Sequence, residues 1–141
     1  MGKGIELDCH TYANRGYAYK KLGDFDKALA DFDKALTLDP KDADSYFFRG
    51  TVHEALEDYE KALADYSKAI ELQPEDDINY YFRADVYENL DRYDEALADY
   101  GKAIELSPED PDYYRARANV YSALGEDDLA AADYARAAEL E

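Results

Sequence analysis

The chain has 141 residues, 47% hydrophobic and 14% aromatic, with a formal charge of −18 from 34 acids against 16 bases. That length suits one compact domain, and only 4 Pro and 7 Gly argue against both disorder and a turn-rich sandwich. The acidic balance repels nucleic-acid phosphate and anionic membranes, so neither is an expected partner; cationic partners or plain solubility remain. The 15 Tyr and 5 Phe, with no Trp, call for packing sites that are apolar at the ring and wet at the hydroxyl. Cys9 stands alone, so there is no disulfide framework. No segment has the apolar run of a signal peptide or the ~20 apolar residues of a membrane helix, and a cytoplasmic location is expected.

Residues 1–8 read as an N-terminal arm. Lys3-Gly4-Ile5-Glu6-Leu7 echoes Lys102-Ala103-Ile104-Glu105-Leu106 three residues out of phase, and Ile5 and Leu7 are expected to cover the first helical pair. From residue 9 the chain repeats every 34 residues, over approximately 9–42, 43–76, 77–110 and 111–141. Tyr12, Tyr46, Tyr80 and Tyr114 keep the period, as do Arg15, Arg49, Arg83 and Arg117. Ala28, Asp31 and Ala35 recur with it to the end of the chain, and Pro40, Pro74 and Pro108 follow the first three copies. Self-similarity at such a spacing is the mark of a stacked repeat array.

Within the second repeat the spacing predicts helices over Ala43–Leu56 and Tyr59–Leu72. Tyr46, Arg49, Gly50, His53 and Leu56 share one face of the first, and Tyr59, Ala62, Leu63, Tyr66, Ala69 and Ile70 share one face of the second. A link of two or three residues makes them antiparallel, and Pro74 stops the second. Gly50 and Ala62 are expected to face each other where the backbones approach. One such pair cannot bury its own apolar face and stacks on the next.

The third repeat keeps this division. The fourth departs from it where a fifth would stack: Leu29, Leu63 and Leu97 become Ala131, Leu36, Ile70 and Ile104 become Ala138, and Phe25, Tyr59 and Tyr93 become Asp127. Such trimming is expected of a capping repeat.

This pattern resembles the tetratricopeptide repeat family. The residues that carry it are Tyr12, Tyr46, Tyr80 and Tyr114, then Gly16, Gly50, Ala84 and Ala118, then Tyr19, Tyr87 and Tyr121 with His53 in the second repeat. Ala28, Phe32, Ala35, Pro40 and their 34-spaced partners complete it, over residues 9–141. The resemblance implies an all-α fold, a right-handed superhelical solenoid of four antiparallel helix-turn-helix repeats forming a single domain. It also implies a concave groove, lined by the first helices, that commonly holds a peptide.

Arg15, Arg49, Arg83 and Arg117 depart from the family, which usually has Leu there. Each is followed sixteen residues later by an Asp: Asp31, Asp65, Asp99 and Asp133. These read as charge-assisted pairs, within a repeat or with the Asp of an adjacent one, and the less favoured alternative is an arginine ladder reading an acidic ligand.

The sequence shows no phosphate loop, nucleophile elbow or cysteine-histidine metal spacing, and no enzymatic activity, cofactor or metal is expected. His53 replaces a packing aromatic and reads as a core histidine. Cys9 and His10 are adjacent, so they point apart on a helix and share a metal poorly. Asp24 with Asp26, and Asp31 with Asp33, lack the glycine and closing Glu of a calcium loop and read as helix-start acids and solvated faces.

By the same resemblance, the groove is expected to be lined by His10, Ala13, Tyr17, Lys20 and Lys21 from the first repeat, and by Asp44, Phe47, Thr51 and Glu54 from the second. Ile78, Tyr81, Asp85 and Glu88 follow from the third, and Asp112, Arg115 and Asn119 from the fourth. Phe47 and Tyr81, off the packing face, have no stacking role and are candidate anchors for an apolar side chain. Chaperone-binding members of the family grip a C-terminal carboxylate with Lys, Asn and Arg; the corresponding positions here hold Ala13, Tyr17, Phe48, Ile78 and Phe82, so that clamp is absent. Residues 9–42 carry as many bases as acids, whereas 43–76, 77–110 and 111–141 carry net charges of −6, −7 and −4. The expected role is a protein-interaction scaffold holding a peptide or helix. Its partner places basic side chains over the central repeats and an apolar one between Phe47 and Tyr81, with any acidic stretch towards Lys20 and Lys21. The alternative is a structural or self-assembling array, consensus-like and engineered, with no dedicated ligand.

Overall fold

The computed structural model describes residues 7–141. The cover expected from Ile5 lies outside the described residues; Leu7 is half-buried. Eight α-helices and no strand are present among the described residues. Contacts divide the chain into two compact units, one ending at Leu72 and the other spanning Gln73–Glu141. Unit 1 contains α1 (Cys9–Lys21), α2 (Phe25–Leu38), α3 (Ala43–Ala55) and α4 (Tyr59–Leu72). Unit 2 contains α5 (Asp77–Asn89), α6 (Tyr93–Leu106), α7 (Pro111–Ala123) and α8 (Asp127–Leu140). In each unit the two consecutive helix pairs pack as pairs, and α2 packs on α3 as α6 packs on α7.

Local chemistry sets the helix ends. The Asp8 carboxylate accepts from Thr11 N at 2.7 Å and Asp24 from Lys27 N at 3.3 Å, capping orphan amides at the starts of α1 and α2. Pro111 opens α7, where its missing N–H costs nothing. Within each pair the first helix ends in a left-handed residue at the same position of the repeat: Gly23, Glu57, Asp91 and Gly125, with φ of 78°, 59°, 58° and 77°. Beyond Gly23, Asp24 N donates to Tyr19 O at 2.9 Å, the reach-back bond that closes such an end. The turn at Glu57 leaves Leu56 as the last cap residue of α3 and 47% exposed, outside the buried face expected for it.

The periodic tyrosines close the turns between pairs. Tyr46, Tyr80 and Tyr114 hydroxyls donate to the carbonyls of Pro40, Pro74 and Pro108 at 3.1, 3.0 and 2.9 Å. Each ring is thus apolar in body and satisfied at its tip, as the composition required.

The core of unit 1 is built on Ala28, Phe32 and Val52, with Tyr19, Phe25, Leu29 and Phe48 packed around it. That of unit 2 is built on Ala84, Ala96, Tyr100 and Val120. Gly16 and Gly50 on the first helices each admit an aromatic ring from the second, Phe32 and Tyr66. The side-chain atoms nearest a Cβ placed on Gly50 are Tyr66 Cε1 at 2.8 Å and Cδ1 at 3.0 Å, followed by Asp65 Cβ. This corrects the expectation that Gly50 faces Ala62: the close approach is of backbone to ring.

On α8, Ala131, Ala138 and Asp127 are exposed. Tyr134 is not trimmed. Its 34-spaced counterparts Phe32, Tyr66 and Tyr100 are buried, whereas Tyr134 is 41% exposed and donates to Asn119 Oδ1.

Candidate partner-binding face

A ladder of ion pairs holds each first helix in place. Arg15 pairs with Asp31, Arg49 with Asp65, Arg83 with Asp99 and Arg117 with Asp133, each through two parallel bonds of 2.7–2.9 Å. All four pairs lie within one repeat. The aspartates are buried, so Asp31 is no solvated-face acid. Each guanidinium also lies over a periodic tyrosine, with Arg49 5.6 Å from the Tyr46 ring centroid and Arg117 5.9 Å from that of Tyr114. The hydrogen bond to its Asp is the largest cause raising each arginine's pKa, and it keeps the guanidinium charged. Each of these arginines is thus committed to the Asp of its own repeat. Arg49 also donates to the preceding repeat, through Nη1 to Asp33 Oδ1 at 2.9 Å.

His53 sits beside this pair, its Nε2 3.8 Å from Asp65 Oδ2 and its side chain 13% exposed. Burial, the main cause, pushes its pKa below the usual value. Cys9 is half-buried and its thiol donates to Asp42 Oδ2 at 3.6 Å. Burial first, and the Asp42 charge second, push it up to about 11, which keeps it an unreactive thiol. Among the described residues no group of three His, Cys, Asp or Glu has the arrangement to hold a metal. None of the described helices is long and apolar enough to cross a membrane.

The expected groove residues fall on α1 and α3 in unit 1 and on α5 and α7 in unit 2. In unit 1, Tyr17 stacks edge-on against Phe48 with centroids 5.0 Å apart. Lys20 Nζ lies 5.8 Å from the Tyr17 centroid and 5.6 Å from that of Phe48, and Lys21 Nζ 5.3 Å from Tyr17. Burial, followed by the Lys21 charge, lowers the Lys20 pKa, while Glu54 opposes the shift. Glu54 accepts from the Tyr66 hydroxyl at 2.7 Å. Thr51 turns its hydroxyl inward to Phe48 O at 2.6 Å, and His10 and Asp44 are exposed.

In unit 2, Glu88 accepts from Tyr100 at 3.0 Å, the counterpart of the Glu54 contact. Tyr113 donates to Asp77. Ile78 is 40% exposed, Asp85 is half-buried, and Asp112 and Asn119 are exposed. Arg115 bonds Asp112 at 2.8 Å and also pairs with Glu141.

The expectation that Phe47 and Tyr81 lack a stacking role is overturned. Both are half-buried. Phe47 lies 5.3 Å from Phe48 and 5.9 Å from Tyr66, and Tyr81 lies 5.7, 5.8 and 5.1 Å from Phe82, Tyr100 and Tyr113. Phe48 was missed as a face residue, although its recurrence as Phe82 and loss at Ala116 was visible at the 34-residue spacing. The tie between Glu54 and Tyr66 also had a signal, since Glu88 with Tyr100 repeats it and Lys20 with Phe32 abandons both partners together.

Comparison with known proteins accords with this geometry. The model for the tetratricopeptide repeat matches residues 11–42 and 43–76, and a second, TPR repeat, matches 85–125. No curated protein sequence matches the chain. Among solved structures, one titled as the crystal structure of MamA is 24% identical with a TM-score of 0.90, over 94% of this chain and 77% of that one. MamA residues 41 to the end, from Desulfovibrio magneticus RS-1, is 25% identical with a TM-score of 0.88, over 94% and 75%. The first TPR of Spaghetti (RPAP3), bound to the HSP90 peptide SRMEEVD, is 24% identical with a TM-score of 0.80, over 86% and 99%. The fold is an all-α helical-repeat solenoid.

Proposed function

The chain belongs to the tetratricopeptide repeat family, and from that premise we propose that it is a protein-interaction scaffold whose first helices hold a peptide or short helix of a partner. The observation that carries this reading is the contrast between scaffold and face. The Tyr, Arg and Asp of the ladder recur in every repeat, while other positions of the first helices differ in each, as at Tyr17, Thr51, Asp85 and Asn119. Glu54 and Glu88 are held by buried tyrosine hydroxyls, so the face is ordered before a partner arrives, which lowers the entropy cost of binding.

The charge of the face favours a partner with basic and apolar residues. At the positions of the chaperone-type clamp the chain has Ala13, Tyr17, Phe48, Ile78 and Phe82, and we read no preference for a free C-terminal carboxylate. A display selection on the full chain tests the proposal. Enriched peptides should be basic and apolar, should bind equally as acids or amides at their C-terminus, and should bind more weakly at high salt. Failure to enrich any peptide would overturn the reading. The exposed Tyr134 ring favours a second reading, self-association through α8, which concentration-dependent sedimentation abolished by Tyr134→Ala would establish.

A further inference from the structure

Three of the four repeats carry a second tyrosine on the first helix, and a cation lies against each. Lys27 Nζ is 5.5 Å from the Tyr19 centroid, Arg92 and Arg83 are 4.9 and 5.8 Å from that of Tyr87, and Arg117 is 5.8 Å from that of Tyr121. Arg83 and Arg117 thereby each meet two rings, since Tyr80 and Tyr114 lie 6.0 and 5.9 Å from them. The second repeat carries the smaller His53 in place of that second tyrosine. It nevertheless keeps the cations: Arg49, which lies over Tyr46, and Lys61, the 34-spaced counterpart of Lys27.

A cavity of about 390 Å³ stands at this place in unit 1, and both cations line it. Arg49, His53 and Asp65 form its buried end, Leu29 and Ala64 give it apolar lining, and Asp33 and Lys61, 64% and 68% exposed, stand where it opens to solvent. Two cations and two carboxylates balance, so an anion gains no net attraction there and a further cation meets Arg49 and Lys61. Burial foremost keeps His53 neutral, and the Arg49 and Lys61 charges act the same way against the pull of Asp65. The cavity thus combines room, apolar lining and two cations that have lost the ring their counterparts hold.

We propose that this cavity of unit 1 receives one tyrosine side chain of a partner protein, its ring against Arg49 and Lys61 and its hydroxyl donating to Asp33. Arg49 bonds Asp33 Oδ1, so Oδ2 is the oxygen that accepts. The negative face of the ring answers the two cations, Leu29 and Ala64 cover its apolar edge, and its polar tip lies at the wet end of the site. A leucine side chain would supply apolar area without answering either cation or Asp33. The occupant follows from reading the chain as a protein-interaction scaffold. The cavity itself is built from α2, α3 and α4 and uses none of the groove residues of the first helices.

The test is nuclear magnetic resonance of the 15N-labelled full chain titrated with N-acetyltyrosine amide and, as control, N-acetylleucine amide. The tyrosine probe should shift amides near Asp33, His53, Lys61 and Ala64, and the leucine probe should leave them in place. His53→Tyr supplies the ring from within the chain and should abolish these shifts. Lys61→Gln, at an exposed position, removes one cation and should weaken binding roughly two- to fivefold. Equal shifts from both probes, undiminished shifts in His53→Tyr, unchanged affinity in Lys61→Gln, or no shift up to about 20 mM probe would each overturn the site. The titration needs no selected peptide, so the site stands or falls apart from the wider function.

Discussion

Arg49 holds Asp65 through a two-point fork, Nε to Oδ2 at 2.9 Å and Nη2 to Oδ1 at 2.7 Å, and with its remaining nitrogen reaches Asp33 of the preceding repeat at 2.9 Å. One side chain thereby ties α3 both to its own partner helix and to the pair before it. The Asp65 carboxylate is 6% exposed and the Arg49 side chain 23%, so removing either partner leaves the other charge poorly solvated.

Arg49→Leu and Asp65→Leu should each destabilise the protein by about 3 kcal/mol, and the double change should cost clearly less than their sum. A double-mutant cycle by urea denaturation measures this. Arg15→Leu should cost less than Arg83→Leu, because the Arg15 side chain is 49% exposed and that of Arg83 only 20%. Additive changes in the cycle would show that the pair is not coupled.

Gly50→Ala should destabilise by about 1–2 kcal/mol, because its Cβ would stand 2.8 Å from the Tyr66 ring and strain a well-packed site. At Gly16 the nearest ring atom, on Phe32, is 3.0 Å away, and the helix propensity gained from Ala offsets more of the strain. Thermal denaturation of the two variants should rank Gly50→Ala as the less stable.

Glu57→Gly should stabilise the chain by about 0.5–1 kcal/mol, since Glu57 holds φ of 59° where Gly23 and Gly125 serve the same turn. Asp91→Gly should gain less, because Asp tolerates this region better. A loss of stability in Glu57→Gly, measured in the same denaturation series, would contradict the turn analysis.

Burial holds the folded pKa of His53 below 6.5, so below that pH the unfolded chain binds more protons than the folded one. Stability is therefore lost as pH falls through 6.5 and continues to fall until the folded His53 itself takes up a proton. His53→Tyr, the residue its 34-spaced counterparts carry, should remove this component. The difference in unfolding free energy between the two proteins should grow from pH 7 to pH 5, and a constant difference would mean that His53 titrates alike in both states.

The sequence alone determined the periodic part of this protein: eight helices in pairs, the turn positions, and a matched row of Arg and Asp, whose pairing within each repeat was left to the structure to decide. A 34-residue period repeats the same local spacing four times, and helical geometry turns such spacing directly into a shared face. The tertiary structure decided what the period cannot encode. Phe47 and Tyr81 read as free because they lie off the apolar stripe, but rings from other helices close over them. Gly50 read as the partner of Ala62 on backbone proximity, yet the long Tyr66 ring reaches the space first. Asp33 read as a solvated acid, and only the stacking of α3 on α2 brings Arg49 to it. Each depends on how far a particular side chain extends between helices, which is set by packing in three dimensions and leaves no spacing to read along the chain.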